Sequence, residues 1–248
     1  MPRKRTTPLR DETLEAGHCS AELRRRILGD AHYFRDLSAE ALDAVNARFR
    51  EQHHPAEGVI CREGTEATRL FFVAHGKVKL VRHSPDGDDV LLDLLAPGAL
   101  FGGVAAIGQR HYRETAIAQT ECCVLRITAE AFEDILEHHP EVALKVLHAV
   151  AHELDEARES IRQLAAAPVE ARLATALLKL SERLGEATEV GLLIQSPLPQ
   201  QDLAAMVGAT QETISRTMAA FRRSGVIDTG RQWVAIRDPD RLRAIAGS

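Results

Sequence analysis

The chain has 248 residues, 45 % hydrophobic and 27 % charged, enough for one large or two modest domains with a buried core. Its net charge of −5 argues against a generic polyanion binder, while leaving room for a DNA reader with local positive charge on one face. Aromatic residues make up 4 %, too few for a surface that stacks single-stranded bases.

Residues 1–18 read as a flexible tail of mixed charge. No apolar stretch there resembles a signal sequence, and none elsewhere is long enough to span a bilayer. The expected location is the cytoplasm, with no membrane partner. Four cysteines, Cys19, Cys61, Cys122 and Cys123, are too few and too scattered for a disulfide scaffold.

From Cys19 to about Glu51 the pattern is helical, with Ser38 placed as an N-cap before Ala39-Glu40-Ala41-Leu42. From Pro55 to about Ile127, short apolar runs alternate with glycines. Val59-Ile60-Cys61, Leu70-Phe71-Phe72-Val73, Val78-Lys79-Leu80-Val81 and Val90 to Leu95 precede the last strands, expected within Thr115–Ile127. Many short strands with turns every 8–12 residues predict a sandwich or roll. From Glu141 to Leu164 there is neither glycine nor proline, and Leu147, Val150, Leu154, Ala157, Ile161 and Leu164 recur at alternating spacings of three and four. That is a coiled-coil seam. It packs on the chain's own roll or, in the preferred reading, on the same helix of a second copy, which satisfies it by two-fold symmetry.

Pro168 ends this helix. Helical pattern resumes over 169–185, then over Gln200–Val207 and Gln211–Ser224, with Gly208-Ala209 as a tight turn between the last two. Val226-Ile227, Thr229-Gly230 and Trp233 to Ile236 read as a small hairpin. Helix, tight turn, helix and hairpin compose a winged helix-turn-helix, whose second helix enters the major groove. Gln211, Glu212, Ser215 and Arg216 share one face of that helix, while Ile214, Met218 and Phe221 share another that packs on Leu203 and Val207. Arg grips guanine with two hydrogen bonds, Glu accepts from cytosine and Ser is permissive, so the first face is expected to read bases. Gln201, Thr210, Thr213 and Arg231 are placed for phosphate contact. Over residues 210–231 four arginines outnumber Glu212 and Asp228.

The segment Gln211-Glu212-Thr213-Ile214-Ser215-Arg216, followed by Phe221 and Ser224-Gly225-Val226-Ile227, resembles the recognition helix of the CRP/FNR superfamily of bacterial transcription regulators. The glycines Gly58, Gly64, Gly76, Gly87, Gly98 and Gly102 resemble that family's β-roll. The resemblance covers roughly residues 30–240 and lies nearer the FNR/DNR-like branch than the cAMP-receptor branch. It implies an α+β fold: an N-terminal cyclic-nucleotide-binding-type β-roll, a long dimerisation helix and a C-terminal winged helix-turn-helix. The expected divisions are 1–18 (tail), 19–140 (sensor roll with flanking helices), 141–167 (dimerisation helix) and 168–248 (DNA-binding domain). The resemblance further implies a homodimer on a palindromic operator with TTGAT-like half-sites, read by Glu212, Ser215 and Arg216, and contact with RNA polymerase.

The resemblance also places an effector pocket near Gly102, Gly103, Val104, Tyr112, Arg113 and Thr115. Cyclic-nucleotide binders of the family carry a Glu where Gly103 stands and an Arg where Tyr112 stands. Glu114 adds a charge that repels a phosphate, so cAMP sensing is not expected. An iron–sulfur cluster needs four thiolates, and only Cys19 lies near the N-terminus, so that cofactor is not expected either. Cys122 and Cys123 are adjacent in a strand and are expected to face opposite sides. His148 and His152, four residues apart on the long helix but off its seam, are the candidate ligands for a metal or haem iron. Haem with NO or CO is the leading named effector; redox sensing, an unnamed small ligand or no ligand stay open, and the alternative reading is a cyclic-nucleotide-responsive regulator of the same family. A phosphate loop, a nucleophile elbow and a zinc-protease motif are all missing, so an enzyme is not expected. A nucleotide-binding module without DNA function is disfavoured by the helix-turn-helix.

Overall fold

The computed structural model describes residues 21–83, 89–102, 110–189, 191–196, 198–230 and 232–247. The helical pattern before residue 51 resolves into two helices, α1 (Ala21–Asp30) and α2 (Ala39–Arg48). Ser38 caps α2 as expected, its Oγ accepting from Ala41 N–H at 3.2 Å. The sequence expectation fails at the end of this stretch. Arg50–His54 is strand β1, paired along its length with the last strand of the roll. Its residues are polar, so tertiary pairing rather than local preference makes it a strand.

The roll consists of β2 (Val59–Cys61), β3 (Arg69–His75), β4 (Val78–His83), β5 (Asp89–Leu95), β6 (Leu100–Phe101), β7 (Thr115–Ala118) and β8 (Cys122–Thr128). Two antiparallel sheets form, ordered β1-β8-β3-β6 and β2-β7-β4-β5. Alternation along the strands sorts neighbours to opposite faces. Phe71, Val73, Cys122 and Val124 pack between the sheets. Phe72, Cys123, Leu125 and Ile127 pack outward against Phe34, Phe49, Phe132 and Val142 of the flanking helices.

Thr128 caps α3 (Ala129–His138), and Pro140 opens α4 (Pro140–Ala166), a helix of 27 residues. Proline suits the first helical position, where its missing N–H has no intrahelical partner to lose. The first turns of α4 bury Val142 and Val146 in the core between the roll and its flanking helices. Beyond them Leu147, Val150, Leu154, Ile161 and Leu164 stand exposed, by 38 to 67 % of their surface, and Ala157 is exposed with them.

Pro168 separates α4 from α5 (Val169–Leu184). The C-terminal unit adds β9 (Gly185–Thr188), β10 (Gly191–Ile194), α6 (Gln200–Val207), α7 (Gln211–Arg223), β11 (Ile227–Gly230), β12 (Trp233–Ile236) and α8 (Pro239–Ala246). The expected hairpin is the β11–β12 pair, but it belongs to a four-stranded sheet ordered β9-β10-β12-β11. Leu173, Leu177, Leu203, Ile214, Phe221 and Ile236 form the core of this unit. That core does not stop at the unit's edge. Val81 and Leu91 of the roll, both 3 % exposed, and Leu94, fully buried, belong to the same cluster, and α6 packs on β5.

Candidate nucleic-acid interface and sensor cavity

The helix-turn-helix is fixed at its bend. Gly208 closes α6 in a left-handed conformation (φ 61°), which glycine adopts without strain. A Cβ there would lie 2.8 Å from Leu164 Cδ2, so the turn abuts the end of α4. Arg172 binds the same corner. Its guanidinium donates to the carbonyls of Val207 (2.7 Å), Gly208 (3.1 Å) and Ala167 (2.9 Å). A cation thus satisfies orphan carbonyls at the ends of two helices.

Thr210 caps α7, its Oγ1 accepting from Thr213 N–H at 3.2 Å, and the two threonine hydroxyls lie 2.9 Å apart. Ile214, Met218 and Phe221 face the core. Gln211, Glu212, Ser215 and Arg216 are exposed on the opposite side, as is Gln201 at the start of α6. Arg231 lies outside the described residues. A groove of about 240 Å³ runs between α7 and the β11–β12 hairpin, lined by Ser215, Gln200, Arg222, Gln232 and Trp233 among others. Arg222 is one of the four arginines counted over residues 210–231, while Gln200, Gln232 and Trp233 were not singled out as site residues from sequence. Only the fold sets the hairpin beside α7, so no local pattern marks them.

A second cavity, of about 700 Å³, opens between the roll and α4. Gly102, Tyr112 and Arg113, three of the residues expected near an effector pocket, line it. Tyr112 is buried, donates its hydroxyl to the Arg69 carbonyl (3.0 Å) and packs near Phe71, the ring centres 6.4 Å apart. Thr115 points elsewhere. It is buried within the roll, and its Oγ1 accepts from Glu63 N–H at 3.0 Å, holding the turn after β2 to β7. Gly103 and Val104 lie outside the described residues.

His148 and His152 are exposed and line the cavity's α4 side. His152 Nδ1 lies 3.9 Å from Glu156 Oε2. No group of three or more metal-ligating side chains occurs among the described residues. Cys61 and Cys122 are buried, and burial pushes both thiols up to about 11. Cys122 faces the space between the sheets and Cys123 the flanking helices, opposite sides as expected. Cys19 lies outside the described residues.

The cavity's electrostatics are acidic. Asp93, Glu114, Glu153 and Glu156 line it, against Arg113 and Arg183. Burial, and next the charge of Glu153, raise the Glu114 carboxyl above its ordinary value. Arg82 opposes them, and Asp93 and Glu63 add to the rise. Arg183 donates through Nη1 to Asp93 Oδ2 and through Nη2 to Glu156 Oε2, each at 2.5 Å. Burial lowers its pKa, but the two carboxylates outweigh burial and the guanidinium is held charged. Neither Asp93 nor Arg183 was expected here, because they stand 90 residues apart.

Two family models match the chain: a cyclic nucleotide-binding domain over residues 51–139 and a Crp-like helix-turn-helix domain over residues 171–245. The Cyclic AMP receptor protein of Thermus thermophilus is 30 % identical over 213 residues, which is 86 % of this chain and 95 % of that protein. The chain belongs to the CRP/FNR family of transcription regulators. A CRP-like cAMP-activated global transcriptional regulator of Mycobacterium tuberculosis is 28 % identical, covering 87 % of this chain and 96 % of that protein. The structure of FixK2 from Bradyrhizobium japonicum superposes with a TM-score of 0.72 at 23 % identity, over 81 % of this chain and 98 % of that one, a likeness of fold. The family is one of DNA-binding regulators and not of enzymes. No helix among the described residues is long and apolar enough to cross a membrane.

Glu114 yields a prediction with a definite sign. A carboxyl whose folded pKa is raised holds its proton to higher pH in the native state than in the unfolded chain. Its contribution to stability therefore falls as pH rises from the unfolded value through the folded one. Glu114→Gln should be more stable than the natural chain at neutral pH and indistinguishable from it in acid. Thermal melts of both proteins across pH test this; a constant difference at all pH values contradicts it.

Proposed function

We propose that this CRP/FNR regulator acts as a homodimer, reads a palindromic operator with two α7 helices, and responds to a small effector in the roll cavity that is not a cyclic nucleotide. The observation that carries the dimer is the stripe of Leu147, Val150, Leu154, Ile161 and Leu164, exposed along a helix whose other side is already anchored. Burying each such side chain is worth about 1.5–3 kcal/mol, so water is a poor partner for it. Two copies related by a two-fold axis present two reading helices to half-sites one turn of DNA apart.

Base reading is assigned to Gln211, Glu212, Ser215 and Arg216, and phosphate contact to Gln201, Thr210, Thr213 and Arg231. TTGAT-like half-sites and contact with RNA polymerase belong to the same proposal. The names of the Thermus and Mycobacterium relatives favour cAMP as the second reading for the effector. Tyr112 supports the first reading, because its ring takes space that a phosphate needs and brings no cation to balance one. Haem, expected from His148 and His152, fits the cavity poorly. Its two carboxylates would meet four acidic side chains, and both histidines are exposed.

Arg216→Ala should weaken operator binding by about 1–3 kcal/mol and relax selectivity at one base pair. Anisotropy titrations on the operator and its single-base variants measure both effects; unchanged affinity and selectivity would remove Arg216 from base reading. Leu154→Lys should convert the dimer to a monomer in analytical ultracentrifugation, whereas an intact dimer would exclude the seam as the interface. Calorimetric titration with cAMP should give no heat of binding at micromolar protein, and a saturable isotherm would install the nucleotide reading instead.

A further inference from the structure

The C-terminal unit is joined to the rest by more than the chain at Pro168. Asp93 is the acid inside the apolar strand β5. Its Oδ1 accepts from Leu94 N–H at 2.8 Å, which leaves Oδ2 directed at Arg183. The other prong of the same guanidinium holds Glu156, which also lies 3.5 Å from Lys179 Nζ. One side chain of α5 therefore grips the roll and the long helix together. Around this grip α6 packs on β5, and the Lys77 ammonium donates to the Gln195 carbonyl.

Arg183, Asp93 and Glu156 keep 37, 33 and 25 % of their side-chain surface exposed. Ion pairs this open contribute little to stability, about 0–1 kcal/mol. Geometry is where they matter. A forked guanidinium defines direction as well as distance, which a lysine ammonium does not. In this arrangement Gln211, Glu212, Ser215 and Arg216 all remain exposed, so the docked unit has its reading face open. A palindrome rewards two reading helices held at a fixed separation, since the second half-site binds intramolecularly only when both can engage at once.

We infer that Arg183 is a positioning residue for DNA reading: its forked bridge to Asp93 and Glu156 fixes the winged helix-turn-helix relative to the helix that carries the dimer seam. The inference rests on the proposed dimer on a palindrome. Arg183 touches no DNA in this role. It sets the spacing of two α7 helices, and the same three side chains line the roll cavity, so the wall of the sensor is also the support of the reader.

The test uses the full-length protein and the palindrome that the natural chain selects from a random duplex pool. Affinities for that palindrome and for a single half-site are measured for the natural chain, Arg183→Met, Arg183→Lys, Asp93→Asn and the Arg183→Met/Asp93→Asn double variant. Arg183→Met should lose about tenfold or more on the palindrome while half-site binding is unchanged. Arg183→Lys should fail to restore the loss, and Asp93→Asn should add nothing to Arg183→Met. Asp93→Asn, nearly isosteric, carries the test if Arg183→Met does not fold. Equal palindrome affinity, tighter binding, or an equal loss on the half-site would each overturn the positioning role. A pool that yields no palindrome for the natural chain overturns the dimeric reading itself, a distinct result.

Discussion

The α4 helix has to be apolar on two sides, and the architecture follows from that demand. Val142 and Val146 root its first turns in the sensor core, which makes the helix a rigid extension of the roll. Past that root the apolar residues turn outward, where nothing among the described residues covers Leu154 or Ile161. A helix so anchored cannot roll over to hide its stripe without tearing Val142 out of the core. Symmetric pairing, as proposed, resolves the conflict and fixes where the C-terminal units emerge.

Sensor and reader also share material. Val81, Leu91 and Leu94 are roll residues by topology, yet they belong to one core cluster with Leu203 and Ile214 of the helix-turn-helix, where α6 packs on β5. The acidic end of the cavity is closed by an arginine from α5. A ligand that changes the shape or charge of that cavity therefore acts on the C-terminal unit through atoms in contact. Coupling of this kind needs only a difference in ligand affinity between two placements of that unit.

Local rules made much of this readable. The seam announced itself through spacing, and the break between α6 and α7 through Gly208, because turns are chemistry between near neighbours. The start of strand β1 was read as the end of a helix and the rest left unassigned, since Arg50-Glu51-Gln52-His53-His54 has no apolar alternation and becomes a strand only by pairing with β8. The β9–β10 pair was missed for a related reason. Its first strand, Gly185-Glu186-Ala187-Thr188, is mostly polar and is held by β10, which in turn pairs with β12. At the candidate site, Tyr112 and the α7 face were legible from sequence. The Asp93–Arg183–Glu156 bridge was not, because separations of 90 and 27 residues leave no periodic trace.

Arg172 gives the C-terminal unit a mechanical character. By binding carbonyls of Ala167, Val207 and Gly208, it welds the bend after α4 to the bend between α6 and α7. The weld spans Pro168 and the turn also abuts Leu164, so this corner follows the end of α4 rather than hanging from the chain alone. The 16 residues of α5 make an arm of roughly 24 Å at 1.5 Å per residue. A tilt of about 5° where α4 ends would carry the far end of such an arm, with Arg183, by about 2 Å, enough to part a hydrogen bond.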